Sequence, residues 1–220
     1  MPDKDDVVIG ASPQAGTQVP KWSKFNLLLH KGPVLIQQKQ FDQQGIARRL
    51  QQWINVSIAP NMMLLQGDSW YLTTTIQQMG RLDCKLIEED ARINALSDTE
   101  RQSPAETASG FYHMTLGGLW VLGSFQILYT LDKMMKRKRV SFAGLHNTIK
   151  DVRGRFIRLR GPLAKGEGRV GDFPFPHQAV RIAGSTCWAV GPGTLISRID
   201  LSDDFINLLD AIAKHPGAST

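Results

Sequence analysis

Cysteine is scarce in this sequence: only Cys84 and Cys187 occur among 220 residues. The two are far apart in the chain, and neither lies in a C-x-x-C motif or beside a histidine. This spacing argues against a disulfide framework and against a zinc site, and a reducing cytoplasm is the expected location. We predict no metal ion and no cofactor.

The N-terminus lacks the basic and then apolar pattern of a secretory signal, because Asp3, Asp5 and Asp6 lie at its start. Residues 1–23 are rich in small and polar residues and are predicted to form a flexible tail. We predict a single globular domain over residues 24–220, with a helical core at about 42–138, a basic segment at 132–169 and a β-containing C-terminal part at 177–214.

Long apolar runs are also rare, and the one that needs a membrane test extends from Gly110 to Leu131. It is long enough to span a bilayer and is followed by a basic run. Polar residues such as His113 and Gln126 interrupt it, and the sequence offers no second span to shelter them from lipid. We therefore predict a buried helix and no association with a membrane.

Apolar residues at helical spacing predict three helices before residue 138. The first covers Asp42 to Val56, with Asp42 as its N-cap, and the second covers Ser69 to Leu96. A polar connection from Ser97 to Ser109 leads to the third, from about Glu106 to Arg137. We expect the two long helices to pack antiparallel, as in a helical bundle.

The C-terminal part has a different pattern. Breakers at Gly154, Gly161 and Pro162 leave room for one short helix between Val140 and Lys165. Three β-branched runs, 178–182, 186–190 and 194–199, predict a meander, and a last helix is predicted from a cap at Ser202 to Lys214. The predicted fold class is mainly α with a small β part (α+β): a helical bundle built on two long antiparallel helices, a C-terminal β-meander and a final helix.

Asp83 and Asp90 lie near the border of the buried stripe of the helix over 69–96. An unpaired buried carboxylate is costly, so both would need cationic partners, such as Arg81, Arg92 or a base on the next helix. We predict salt bridges between helices here.

Positive charge is unevenly distributed along the chain. Residues 132–169 contain twelve Lys and Arg against three Asp and Glu, whereas residues 64–107 contain four against eight. Such clustering can neutralise a phosphate backbone. It can also be a solvated surface that complements a helix C-terminus, or a contact for an acidic protein surface. The residues predicted to bind nucleic acid are Lys136, Arg137, Lys138, Arg139, Lys150, Arg153, Arg155, Arg158, Arg160 and Lys165.

Catalytic signals are weak. His113 follows Glu106 by seven residues, two turns along one helical face, so the two could cooperate in proton transfer. The glycine-rich stretch at 161–168 has the frame of a phosphate loop but lacks its Lys and its Ser or Thr. Two long helices with a basic end resemble the HEPN class of helical ribonucleases, yet the Arg-x-x-x-x-His spacing of that class is missing. No catalytic residue is carried over from it.

The sequence therefore predicts a helical module that binds a polyanion through its basic segment, and the polyanion we expect is RNA or DNA. One alternative is an enzyme, a nuclease or another hydrolase, that uses His113 and Glu106. Another is an accessory protein that forms a homodimer through Gly117, Gly118 and Gly123, since small residues allow helices to approach closely.

Overall fold

A computed structural model describes residues 42–67, 70–138, 142, 144–165, 179–182, 185–191 and 194–216. Within these ranges the helices are α1 (Gln43–Ser57), α2 (Pro60–Gln66), α3 (Tyr71–Ala95), α4 (Asp98–Arg101), α5 (Pro104–Lys138), α6 (His146–Lys165) and α7 (Arg198–Ala213). The strands are β1 (Ala179–Ile182), β2 (Ser185–Gly191) and β3 (Thr194–Ser197). A mainly helical fold with a small β part is thus confirmed. The tail at 1–23, Arg139 and the last three residues of the glycine-rich stretch at 161–168 lie outside the described residues.

Helix N-termini are fixed by short polar side chains. The carboxylate of Asp42 accepts a hydrogen bond from the backbone N–H of Gly45 at 2.6 Å, which caps α1 as predicted. For α7 the predicted cap at Ser202 is wrong, because Ser197 accepts from the N–H of Asp200 at 3.4 Å and starts the helix earlier. Ser202 instead lies buried in the second turn of α7.

Pro60 and the predicted breakers Gly154, Gly161 and Pro162 all lie within helices. Pro60 is the first residue of α2, where its missing N–H would have had no partner. Gly154 and Pro162 lie inside α6, which has 20 residues and is much longer than the short helix expected. Burial of Phe156 and Leu159 on its inner face outweighs the weak local preference for helix.

The two longest helices, α3 and α5, pack side by side in opposite directions. Asp90 of α3 contacts His113 near the start of α5, and a Cβ on Gly123, farther along α5, would meet Met79 nearer the start of α3. Helix α1 packs on α3, and α6 packs on α5. Helix α7 contacts α1, α2 and α6, so it closes the bundle.

The sheet has three antiparallel strands in the order β1-β2-β3. Its central strand β2 is buried along almost its whole length and contacts α3, α6 and α7. Trp188 of this strand faces Ile196 of β3 across the ladder. The sheet is therefore part of the core of the bundle.

Four aromatic rings connect the helices through the core. Trp53 of α1 meets Phe205 of α7 with ring centroids 5.6 Å apart, and Phe205 meets Phe156 of α6 at 5.5 Å. Phe156 in turn meets Trp120 of α5 at 5.9 Å. Edge-to-face contacts of this kind add to the free energy gained by burial, because ring edges and faces carry opposite partial charges.

The glycines of α5 contact the rest of the chain. A Cβ on Gly117 would lie 3.7 Å from Trp188, one on Gly118 would lie 3.6 Å from Leu163, and one on Gly123 would overlap the Met79 sulfur. The small-residue surface suggested as a dimer contact is thus occupied by β2, α6 and α3.

Among the described helices, α5 alone is long and apolar enough to cross a bilayer by length and composition. Half of its most apolar window is buried against the other elements of the fold. A core helix passes the same test.

Gly80 permits close contact between α3 and α1, because a Cβ at this position would overlap the indole of Trp53. We predict that Gly80→Ala lowers the free energy of unfolding by about 1–3 kcal/mol, since the buried indole must shift. Urea denaturation measures this change. The control is Gly154→Ala in α6, where no atom lies within 4 Å of the new Cβ. That variant should gain roughly 0.5–1 kcal/mol from helix propensity. Equal stability of the two variants would contradict the prediction.

Candidate functional site

Two groups of polar residues have defined geometry: a buried ionic network in the core and a basic surface along α5 and α6. In the network, the carboxylate of Asp83 is fully buried. It accepts hydrogen bonds from Arg49 Nε at 2.6 Å, from Arg198 Nη1 at 2.8 Å and from Trp53 Nε1 at 3.2 Å. One carboxylate on α3 is thereby held by side chains of α1 and α7.

Asp90, two turns farther along α3, is the second buried carboxylate. Its Oδ2 accepts from Arg198 Nη2 at 2.9 Å, and its Oδ1 lies 2.8 Å from His113 Nε2. Burial opposes ionisation, but the bonds to His113 and Arg198 outweigh it and lower the pKa of Asp90. The guanidinium of Arg198, itself fully buried, therefore bridges both carboxylates.

Arg49 extends the network to the first turns of α7. Its Nη1 contacts Asp203 Oδ1 at 2.6 Å, and its Nη2 donates to Ser202 Oγ at 2.8 Å. Burial would lower the pKa of Arg49, but the charges of Asp83 and Asp203 outweigh it, so the pKa is raised. The network thus joins α1, α3, α5 and α7.

Salt bridges from Asp83 and Asp90 to other helices are confirmed. Of the predicted partners, Arg81 and Arg92 are wrong, whereas a basic group on the next long helix is right for Asp90, which contacts His113. Arg92 binds Glu89 and Glu106 at the surface, and Arg81 is exposed. The true partners lie 34 residues before Asp83 in α1 and 115 residues after it in α7. A carboxylate inside an apolar stripe was the signal that a partner must exist.

The structure separates the two catalytic candidates. Glu106 binds Arg92, which lowers the pKa of the carboxyl, while His113 binds Asp90. The His113 side chain is only 1% exposed, and its Nδ1 has no hydrogen-bond partner among the described residues. An imidazole enclosed in this way is out of reach of a dissolved substrate, so its contacts indicate a structural role.

The arginines of α6 contact two different neighbouring helices: some contact α5 and others contact α7. Arg155 pairs with Asp204 of α7, and burial lowers the pKa of this guanidinium. Lys138 donates to the backbone carbonyl of Leu64 at 2.6 Å. Lys136, Arg137 and Lys150 are exposed, Arg158 is half-buried, and Lys165 is the last residue of α6. The predicted site residues are therefore not all on one surface.

On the side of α6 that faces α5, three cations, Lys133, Arg153 and Arg160, lie near Tyr129, and a fourth, Lys136, contacts the same carboxylate as Arg153. Lys133 Nζ is 4.5 Å from the ring centroid of Tyr129, which also stacks on Phe125 at 6.4 Å. Arg160 of α6 lies over Phe125 at 4.9 Å. Arg153 of α6 and Lys136 of α5 both contact Asp132, at 3.3 and 2.8 Å. We call Lys133, Lys136, Arg153 and Arg160, with Tyr129 and Asp132, the α5–α6 surface.

The cations near Tyr129 also influence the ionisation of its hydroxyl. Lys133, with smaller contributions from Arg153 and Arg160, lowers the pKa of the Tyr129 hydroxyl. Sequence reasoning included Arg153, Arg160 and Lys136 but missed Tyr129. The spacing of Tyr129 and Lys133, four residues apart on a helix, was the available signal.

No known family, curated protein or solved structure matches the chain.

We predict that Arg198→Met lowers the free energy of unfolding by about 3–5 kcal/mol, because two buried carboxylates lose a shared partner. The control is Lys214→Met, which breaks an ion pair to Asp210 in which the lysine is 75% exposed. That loss should be below about 1 kcal/mol. Urea denaturation monitored by tryptophan fluorescence measures both. Similar losses in the two variants would show that the buried guanidinium is dispensable.

A second prediction concerns acid stability. The folded pKa of Asp90 lies below its unfolded value of about 3.9. Its ionised form therefore stabilises the fold above that pH, and this contribution is lost as the pH falls through the folded pKa. Asp90→Asn should be less stable than the native chain at neutral pH, and the gap should narrow below about pH 4. Denaturant midpoints measured across this range give the test, and a gap independent of pH would contradict it.

Proposed function

We propose that the protein binds nucleic acid through the α5–α6 surface. The observation that supports this is the concentration of four cationic side chains from two helices on one surface, three of them near the exposed ring of Tyr129. Only one described carboxylate, Asp132, lies among them. The resulting excess of positive charge favours a polyanion, because each phosphate neutralised by a cation releases condensed counterions.

The spacing of the cations along the two helices suits an extended ligand. Arg153 and Arg160 are seven residues apart on α6, about 10 Å along its axis at 1.5 Å per residue. Lys133 and Lys136 lie on the adjacent part of α5, since Asp132 contacts both Lys136 and Arg153. Cations spread over this distance can contact successive phosphates of one strand.

This interface is smaller than the full basic segment. Arg155 extends to Asp204 of α7 and Lys138 extends to the carbonyl of Leu64 in α2, so both lie apart from the α5–α6 surface and we assign neither to phosphate binding. Lys136 and Arg153 share the single carboxylate of Asp132, so the pair keeps a net positive charge. The proposal therefore rests on about four cations, which limits the expected salt dependence to moderate values.

The test is binding of a fluorescein-labelled oligouridylate and of a labelled DNA duplex, followed by anisotropy at several salt concentrations. With about four phosphates neutralised, affinity should fall roughly a hundredfold between 50 and 200 mM salt. The double variant Lys133→Glu with Arg160→Glu should abolish measurable binding at the higher salt concentration.

The matched control is Arg81→Glu with Lys85→Glu, which makes the same change in net charge on the exposed face of α3. It should bind nearly as the native chain does. Equal losses of affinity in both double variants would show that the effect comes from net charge alone. Salt-insensitive binding, or binding to phosphatidylserine vesicles without any to oligonucleotides, would overturn the proposal.

A further inference from the structure

We infer that Tyr129 is a stacking platform for an unpaired base, so that the ligand of the α5–α6 surface is single-stranded nucleic acid. This inference rests on the proposed function and specifies its ligand. It depends on features that phosphate binding alone does not require.

The first feature is the placement of the ring. Tyr129 is 36% exposed, and the ring of Phe125, one helical turn before it, stacks on it at an interplanar angle of 18°. Phe125 is buried and fixes one side of the tyrosine. An exposed ring that is already supported from below loses little conformational entropy when a second ring packs on it.

The second feature is the position of the cations relative to the ring. Lys133 lies over the Tyr129 ring at the end of a flexible four-carbon chain, and Arg160 lies over Phe125. When a base packs on the tyrosine, the ammonium of Lys133 can move from the ring to the phosphate of the same nucleotide. A nucleotide offers both a planar ring and an anion, and the two lie only a few ångströms apart.

A duplex cannot use this geometry, because its bases are stacked on one another and present only edges in the grooves. Single strands can turn their bases outward, and proteins bind them by combining cationic grooves with aromatic rings. The pairing of Tyr129 with the surrounding cations fits the second class of ligand.

The experiment compares Tyr129→Leu and Tyr129→Phe with Tyr112→Leu. Tyr112 is also an exposed tyrosine of α5, 62% exposed, and lies 17 residues, about 25 Å, from Tyr129 along the helix. Each variant is titrated with the oligouridylate, with a DNA single strand and with the matching duplex. Circular dichroism confirms that each variant is folded.

We expect the native chain to prefer single strands over the duplex. Tyr129→Leu should weaken binding of single strands by about tenfold, since one stacked base is lost, while duplex binding and the salt slope stay unchanged. Tyr129→Phe should retain the affinity, because the ring remains, and Tyr112→Leu should have no effect.

Equal affinity for single strands and duplex, or an unchanged affinity in Tyr129→Leu, would overturn the inference. In that case salt-dependent binding that is abolished by Lys133→Glu with Arg160→Glu would still support the proposed function. Absence of binding to any of the three probes would overturn both.

Discussion

The fold depends on holding two buried carboxylates inside the bundle. Asp83 and Asp90 both point from α3 into the interior, and each would cost several kcal/mol if it stood alone there. Arg198 contacts both, and Arg49, Trp53 and His113 supply further hydrogen bonds. Because guanidinium donors are planar and fixed in direction, these bonds restrict how α1, α5 and α7 can be placed around α3.

We expect this network to matter more for the choice of one helix arrangement than for total stability, because well-packed apolar residues of the same size could fill the space at similar free energy. Here a shift of α7 by one turn would separate Arg198 from both carboxylates. The ring contacts among Trp53, Phe205 and Phe156 then fill the space beside the network and provide the hydrophobic part of the stabilisation.

Much of the helical part could be predicted from the sequence, because α1 and α3 have one apolar stripe each, α5 contains a long apolar run, and a polar connection separates α3 from α5. Helix α6 could not, since Gly154 and Pro162 argue locally against a helix that only burial against α5 and α7 supports. The start of α7 was missed for a related reason: Ser197 and Ser202 are equally good caps in isolation, and only the contact of Ser202 with Arg49 distinguishes them.

For the candidate sites, too, some features could be predicted from the sequence and others depended on the packing. Asp83 and Asp90 lie near the border of a helical stripe, which predicted that they would need partners if buried, but no local pattern identifies Arg198 as that partner. Similarly, the excess of positive charge at 132–169 was evident, while its division between α5 and α7 was not, because the side of α6 on which each arginine lies depends on the packing. The proposed role of Tyr129 became evident only from the positions of Phe125 and Lys133 beside it in the structure.

The bridge made by Arg198 also affects the order in which the chain can complete its interior during translation. Helices α1, α3, α5 and α6 all leave the ribosome before residue 198, so a bundle formed from them alone would enclose Asp83 and Asp90 without their shared guanidinium. Such an intermediate is penalised until β3 and the first turn of α7 emerge. The nascent chain can therefore close its interior only after residue 198 has emerged, however early the other helices form.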